Sequence, residues 1–283
     1  MLKYKGTSNN VMIIYLKKTK LTKSKQGEKL KLIDIVKEAG EILKYGYYHS
    51  KKIGFKSEVD LVTEYDLKIE NFLKERLKDL YPTFEIVAEE SFKEAQIPSK
   101  AIFIDPIDGT TNFVHSIAYT CISVGIWEEG EPLEGVVYNP ILDELFFAKR
   151  GEGAFLNNKR IFVSNTSKLI NSLIATGFPY TKIEMGRDYR WVIDTMKKIL
   201  PKTRDIRRLG SAAIDLCYVA CGRFSGFYEV NLKPWDVAAG ILMVKEAGGK
   251  VYNHKEEEYR FGDIIVATNS KIDKELIENL AKY

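Results

Sequence analysis

The order of hydrophobic patterns along the chain predicts an α+β first half joined to an α/β second half. Three observations carry this reading. Two amphipathic helical stretches lead the chain, between about residues 30 and 80. A run of short strand-like segments, separated by Gly, Pro and charged turns, fills residues 119–156. Beyond residue 172 strand-like and helix-like segments alternate. A seam between roughly residues 149 and 172 therefore separates an N-terminal part, residues 30–160, from a C-terminal part, residues 161–283.

The elements follow in order. Leu32, Ile33, Val36, Ala39, Ile42 and Leu43 recur at helical spacing, which predicts a helix over residues 30–48. The polar stretch GFKSEVD, residues 54–60, reads as a loop. A second amphipathic helix sets Val62, Tyr65, Ile69, Phe72, Leu73, Leu77 and Leu80 on one face, and Tyr81-Pro82 stops it. FEIVA and AIFID, residues 84–88 and 101–105, are short strands, each running into acid. YTCISVGIWE, LEGVVYNP, DELFFAK and GAFLN suit an antiparallel meander. In the second half SLIATGF, TRDIRRL, FSGFYEV and DIIVATN read as strands. Residues 185–200, SAAIDLCYVACG and WDVAAGILMVKEAGG read as helices, the last two closed by glycine.

Composition excludes several classes of protein. Hydrophobic residues make up 45% and charged residues 29% of the 283, as in ordinary globular chains. The net charge of +4 is uneven: nine Lys and one Glu in residues 1–31 give +8, and subtracting this from +4 leaves −4 for the rest. Basic character thus belongs to an N-terminal extension over residues 1–29, read as solvated and disordered, with a nucleic-acid or membrane arm as the rival reading. The apolar run VMIIYL is six residues long, too short for a secretory core or a spanning helix, so no membrane partner is expected. The three cysteines, Cys121, Cys217 and Cys221, form no CxxC pair, which suits a reducing cytoplasm. With three His and no HExxH spacing, a histidine-built zinc site is not expected.

The chemistry concentrates in IFIDPIDGTTNF, residues 102–113. Ile102, Phe103 and Ile104 carry the strand inward, and Pro106, which has no N–H to give a ladder, predicts that pairing ends there. Asp105 and Asp108 then lie on one tight turn that Gly109 permits. Two such charges raise each other's pKa unless a cation lies between them. An isolated DxxDG reads more simply as an Asp-rich turn. Further acids shift the balance: Glu89 and Glu90 follow a strand, Asp236 opens a helix after Pro234, and Asp66 lies on the second helix. Each has an ordinary explanation: a solvated strand end, a favourable charge at a helix N-terminus, or a Thr63–Asp66 capping pair. Together they make a set of hard oxygen donors without His or Cys, as Mg²⁺ requires. Thr110 and Thr111 after Gly109 open a short helix and offer N–H groups and hydroxyls to an anion.

DPIDGTTNF (residues 105–113) and WDVAAG (residues 235–240) resemble the two signatures of the inositol monophosphatase family, Mg²⁺-dependent and lithium-sensitive phosphatases. DLVTEYD, EES, GSAA and EAGG match in order, and the likeness runs from about Leu32 to the C-terminus. The resemblance implies a layered αβαβα sandwich, a homodimer and two to three Mg²⁺ per site. Glu89, Asp105 and the carbonyl of Ile107 would hold one Mg²⁺; Asp105, Asp108 and Asp236 a second; a third, weaker ion would lie near Glu89. Gly109 and Thr110 would bind the phosphate, while Asp66 and Thr110, with Glu89, would orient and deprotonate the attacking water. Asp108, Gly210, Ala212 and Glu229 would face the substrate hydroxyls, and Lys56 would lie on the loop that closes over the site. Ala88 stands where Gly is common in the family.

The function this implies is hydrolysis of myo-inositol 1-phosphate by a metal-activated water. Fructose 1,6-bisphosphate is the alternative substrate, and histidinol phosphate and 3′-phosphoadenosine phosphates also occur in the family. Glu229, seven residues before Asp236, suits vicinal hydroxyls; its plainer reading is a buried acid paired with an arginine. Aspartyl-phosphate phosphatases also end a strand in acid, but with D-x-D-G-T, and here the acids stand one residue further apart. A different class of role, contact with the transcription or translation machinery, would draw on RDIRRLGS (residues 204–211) and the Lys-rich arm, making nucleic acid the alternative partner.

Overall fold

The computed structural model describes residues 27–93 and 96–283. The basic extension expected at residues 1–29 lies, up to residue 26, outside them. Helix α1 (Gly27–Tyr47) leads to a hairpin of β1 (Ile53–Phe55) and β2 (Leu61–Thr63). Helix α2 (Glu64–Leu80) follows, then β3 (Glu85–Ala88), β4 (Lys100–Asp108) and the short α3 (Thr110–Val114). A meander of β5 (Cys121–Glu128), β6 (Glu131–Asn139), β7 (Glu144–Lys149), β8 (Gly153–Leu156) and β9 (Lys159–Arg160) completes a seven-stranded sheet in the order β3 to β9. The remaining strands are β10 (Leu173–Thr176), β11 (Asp205–Arg207), β12 (Gly226–Glu229), β13 (Lys250–Asn253) and β14 (Ile265–Thr268). They form a five-stranded sheet in the order β11-β10-β12-β14-β13. Helices α4 (Arg187–Ile199), α5 (Ala212–Ala220), α6 (Pro234–Glu246) and α7 (Asp273–Ile277) pack on it.

These elements stack as αβαβα, and the strand pattern shows why. Strand β4 is apolar without a break because both its faces are covered. Ile102 and Ile104 point to one core, shared with Val36 of α1 and Leu73 of α2, while Ala101 and Phe103 point to another with α5 and α6. In the second sheet Ala175, Phe227 and Ala267 meet α5 and α6, and Ile174, Tyr228 and Val266 meet Trp191 of α4 and Leu276 of α7. Helices α5 and α6 therefore lie between the sheets. Their residues Ala212–Ala220 and Val237–Val244 are buried on every side, as expected of central-layer helices. At Gly240 a β-carbon would stand 2.6 Å from Leu216 Cβ, so the two helices touch through the missing side chain. Gly240→Ala is expected to destabilise by about 1–3 kcal/mol through overpacking, read as a lower melting temperature.

Several sequence expectations change. Val62 belongs to β2, not to the second helix. That helix begins at Glu64 because Thr63, in extended conformation, caps it by accepting from Tyr65 N at 3.1 Å. The expected loop at residues 54–60 is the tip of a hairpin, with Gly54 and Phe55 paired to Val62 and Leu61. Pairing does not end at Pro106. It shifts register between Asp105 and Asp108 and resumes where Asp108 faces Cys121, so the proline occupies a bulge. Strand β13 and helix α7 leave no clear sequence signal, since polar runs surround both.

Candidate active site

The site forms where β4 leaves the first sheet. The bulge turns the chain, Gly109 takes φ +87°, and α3 starts at Thr110. Asp105 and Asp108 are held at this corner, 2% and 8% exposed. Helix α6 brings Asp236 from the second half, its Oδ2 accepting from Lys233 N at 2.7 Å. Helix α5 meets Asp108 end-on: its Oδ2 accepts from Ser211 Oγ and from Ala213 N, each at 2.7 Å.

Electrostatics marks this cluster as unbalanced. Burial, reinforced by Glu89, Asp108 and Asp236, raises the Asp105 pKa well above the ordinary carboxylate range. Asp236 is raised for the same reasons, burial first and then Glu89 and Asp108. Asp108 is lifted to about 6 by burial, although the bonds from Ser211 and Ala213 favour its charged form. Asp105 Oδ1 is buried without a hydrogen-bond partner. An orphaned carboxylate oxygen among three other acids is a costly arrangement unless a cation joins it. Among the described residues no three Asp, Glu, His or Cys side chains are already drawn together as a cage. The fit to a hard divalent cation therefore rests on the all-oxygen donors and on that orphan. Glu89, Asp105, Asp108, Asp236 and the Ile107 carbonyl are the residues that could hold it. The Ile107 carbonyl accepts from Thr110 Oγ1 at 2.9 Å.

Lys56, at the hairpin tip, reaches Glu89 Oε1 and Glu90 Oε1, both at 2.7 Å. Burial alone would lower its pKa, but the two glutamates more than offset this and raise it. Burial and the neighbouring Glu89 lift Glu90 itself to about 7, and its backbone N–H is fixed by Glu70 at 2.8 Å. Asp66 is fully buried. Its Oδ2 accepts from Thr63 N at 2.7 Å and Thr63 Oγ1 at 2.5 Å, and Thr110 Oγ1 donates to its Oδ1 at 3.2 Å. The capping role and the link to Thr110 thus coexist on the two oxygens of one carboxylate.

Asp108, Gly109, Thr110, Gly210, Ala212, Glu229 and Asp236 all line one cavity of about 260 Å³. Asp66, Glu89, Asp105, Ile107 and Lys56 do not line it. Asp66 is tied to it through Thr110, and Asp105 through its electrostatic contact with Asp108 and Asp236. Glu229 is 8% exposed, and burial pushes its pKa up to about 8, with Arg208 acting in the opposite direction. Room for its carboxylate exists because position 177 is glycine; a β-carbon there would overlap Glu229 Oε1. A larger cavity of about 610 Å³, lined by Trp127, Tyr259 and Phe261, contains none of the carboxylates marked by the sequence. Sequence reasoning missed Asp215, Lys182 and Tyr180 on the smaller cavity wall. Asp215 was legible in principle, three residues after Ala212 on the same helix and so on the same face.

An acid cluster with Asp105 and Asp108 buried, a threonine hydroxyl on a further acid and a polar cavity are chemically suited to phosphoryl transfer. A profile of the inositol monophosphatase family matches residues 27–283. The chain is 42% identical over 258 residues to inositol monophosphatase 2 of Solanum lycopersicum, covering 88% of this chain and 96% of that one. It is 41% identical over 241 residues to a Neisseria meningitidis protein named as a candidate Nus factor, SuhB, covering 84% and 91%. The crystal structure of extragenic suppressor protein suhB from Bartonella henselae superposes with TM-score 0.82 at 37% identity, covering 89% and 97%. The chain belongs to the inositol monophosphatase family, and it is therefore an enzyme of the phosphatase class. Among the described residues no helix is long and apolar enough to cross a membrane.

Proposed function

We propose that this enzyme hydrolyses myo-inositol 1-phosphate to inositol and phosphate with Mg²⁺. The observation that carries the reading is the group Asp105, Asp108 and Asp236, the first two buried, with its orphaned Asp105 oxygen, beside the Thr110–Asp66 contact. Mg²⁺ held there would neutralise phosphoryl charge and lower the pKa of a water. The chain's own groups do the rest. Asp66, held by Thr63 and linked to Thr110, takes a proton from a water that Thr110 and Glu89 orient. Gly109 and Thr110, at the turn into α3, present backbone N–H groups to the phosphate. Glu229, with Gly210, Ala212 and Asp108, receives the hydroxyls of the polyol. Lys56, on the hairpin tip, closes over the site. A homodimer, two to three Mg²⁺ per site, lithium inhibition and a cytoplasmic setting follow from the family resemblance and are part of the same proposal.

A second substrate reading has one observation in its favour. Lys182 and Arg208 line the same cavity, which suits a second anionic group such as that of fructose 1,6-bisphosphate. A role at the transcription machinery draws on the name of the Neisseria relative. Here Arg207 is bound to Asp205 at 2.6 Å, while Arg208 lies over Phe178 and lines the cavity.

Phosphate release from inositol 1-phosphate, fructose 1,6-bisphosphate and 3′-phosphoadenosine 5′-phosphate, with Mg²⁺ and with EDTA, tests the proposal. Inositol 1-phosphate is expected to be turned over fastest and EDTA to stop all release. Release that survives EDTA would remove the metal role. A faster bisphosphate would transfer the assignment to the sugar phosphate.

A further inference from the structure

Asp215 has no role in the reading above, and an ordinary explanation fails it. An acid in the first turn of α5 is favourable to the helix at its N-terminal end. That effect is available to an exposed side chain, whereas Asp215 is 1% exposed. Its Oδ1 is buried without a hydrogen-bond partner, although the residue lines the candidate cavity. Burial, with Glu229 and Asp108 nearby, raises its pKa well above the ordinary range, and Arg208 offsets this only in part. A second buried acid near Glu229 destabilises the metal-free fold, so a purely structural purpose does not explain it.

The cavity supplies the missing partner class. Asp215 stands one turn along α5 from Ala212, and both line the cavity with Glu229 of β12 and Gly210. Residues of two different elements thus each bring a carboxyl group to the wall of one cavity, whose lining also includes Asp108 and Asp236. A hydroxyl both donates and accepts, so it satisfies a carboxyl group in either protonation state. An anion placed between Asp215 and Glu229 would not, since it adds negative charge beside two acids; the cations of the cavity, Lys182 and Arg208, are where a second anionic group would go. A polyol with adjacent hydroxyls places one donor on each group, and an ester whose leaving group lacks hydroxyls satisfies neither.

We propose that Asp215 is a specificity-determining residue that hydrogen-bonds a hydroxyl of the leaving polyol, forming with Glu229 a two-carboxyl recognition pair for neighbouring hydroxyls. This rests on the phosphatase reading of the same site, which it deepens by naming what the cavity selects.

The test compares wild type with Asp215→Ala, Asp215→Ser and Asp215→Asn, each with Mg²⁺, on inositol 1-phosphate and on p-nitrophenyl phosphate, whose leaving group carries no further hydroxyl. For the Ala and Ser variants KM for inositol 1-phosphate is expected to rise on the order of tenfold, the effect of one buried hydrogen bond. Their kcat/KM for p-nitrophenyl phosphate is expected to stay within about twofold of wild type, because only ground-state contacts to the polyol are lost. Asn keeps a donor and an acceptor and is expected to retain most of the preference. Melting temperatures of Ala and Ser are expected to equal or exceed that of wild type, since a buried acid is removed. Equal loss on both esters would mark Asp215 as structural and overturn the proposal, as would unchanged KM for the inositol ester. Wild type inert towards both esters would instead overturn the proposed inositol 1-phosphate hydrolysis, and the recognition pair with it.

Discussion

Asp105→Asn is expected to abolish phosphate release, with kcat/KM falling on the order of 10³-fold. The substitution is nearly isosteric, so packing around the β4 bulge is preserved and only charge is lost. Asp105 is the most enclosed acid of the cluster, and burial, Glu89, Asp108 and Asp236 all act on it. Its partnerless Oδ1 is the atom with most to gain from a cation. Removing the charge relieves like-charge repulsion, so the metal-free variant is expected to melt no lower than wild type while losing its response to Mg²⁺. Wild-type turnover with an intact Mg²⁺ titration would refute the metal assignment.

The same cluster sets a pH dependence. Asp105, Asp108 and Asp236 all have raised pKa values, Asp108 at about 6. A carboxyl group whose pKa is higher folded than unfolded stabilises the fold below its unfolded value, and that contribution is lost as pH rises through the folded value. The metal-free protein is therefore destabilised by Asp108 as pH rises through about 6, and Asp105 and Asp236 act in the same direction. As these groups lose their protons, Mg²⁺ meets charged ligands and proton competition weakens. The rise in melting temperature on adding Mg²⁺ is expected to be larger at pH 8 than at pH 5.5, with protons released on binding at the acidic pH. Scanning calorimetry at the two pH values reads this directly. A Mg²⁺ effect larger at the acidic pH would contradict the linkage.

Much of the fold and of the candidate site was legible because burial on two faces leaves a strong pattern. Strand β4 and helices α5 and α6 read as apolar runs for the same reason that they occupy inner layers. What was misread lay where local chemistry overrode periodicity. Val62 fits the helical face of α2, but the Thr63 cap fixes the start after it. Pro106 lacks a ladder donor, yet a bulge accommodates it and lets Asp108 resume pairing. Spacing from Ala212 puts Asp215 on the helix face that meets the cavity, but its proximity to Glu229, fourteen residues on and in another element, is not encoded by any local spacing.

Asp66→Asn is the second substitution with a large expected effect, a fall in kcat of roughly 10²–10⁴-fold, the range for loss of a positioned general base. The two oxygens of Asp66 have different duties. Oδ2 receives both the N–H and the hydroxyl of Thr63, which closes the start of α2. Oδ1 lies within reach of the Thr110 hydroxyl, whose single proton it shares with the Ile107 carbonyl at the β4 corner. Burial lifts Asp66 to about 6, with the Thr63 bonds holding it from rising further. A base at that value is largely ionised at neutral pH and still accepts a proton. Asn retains one oxygen for the Thr63 cap, and even complete loss of the cap would cost only about 0.5–2 kcal/mol. It cannot accept a proton, and it presents an amide in place of an oxygen to one of its two partners. Activity is therefore expected to collapse while the melting temperature changes by only a few degrees. Thr110→Ser, which keeps the hydroxyl, is expected to retain most activity, and Thr110→Ala to lose it as Asp66→Asn does. A helix-capping role without catalysis predicts the reverse: lost stability, with turnover per folded molecule unchanged.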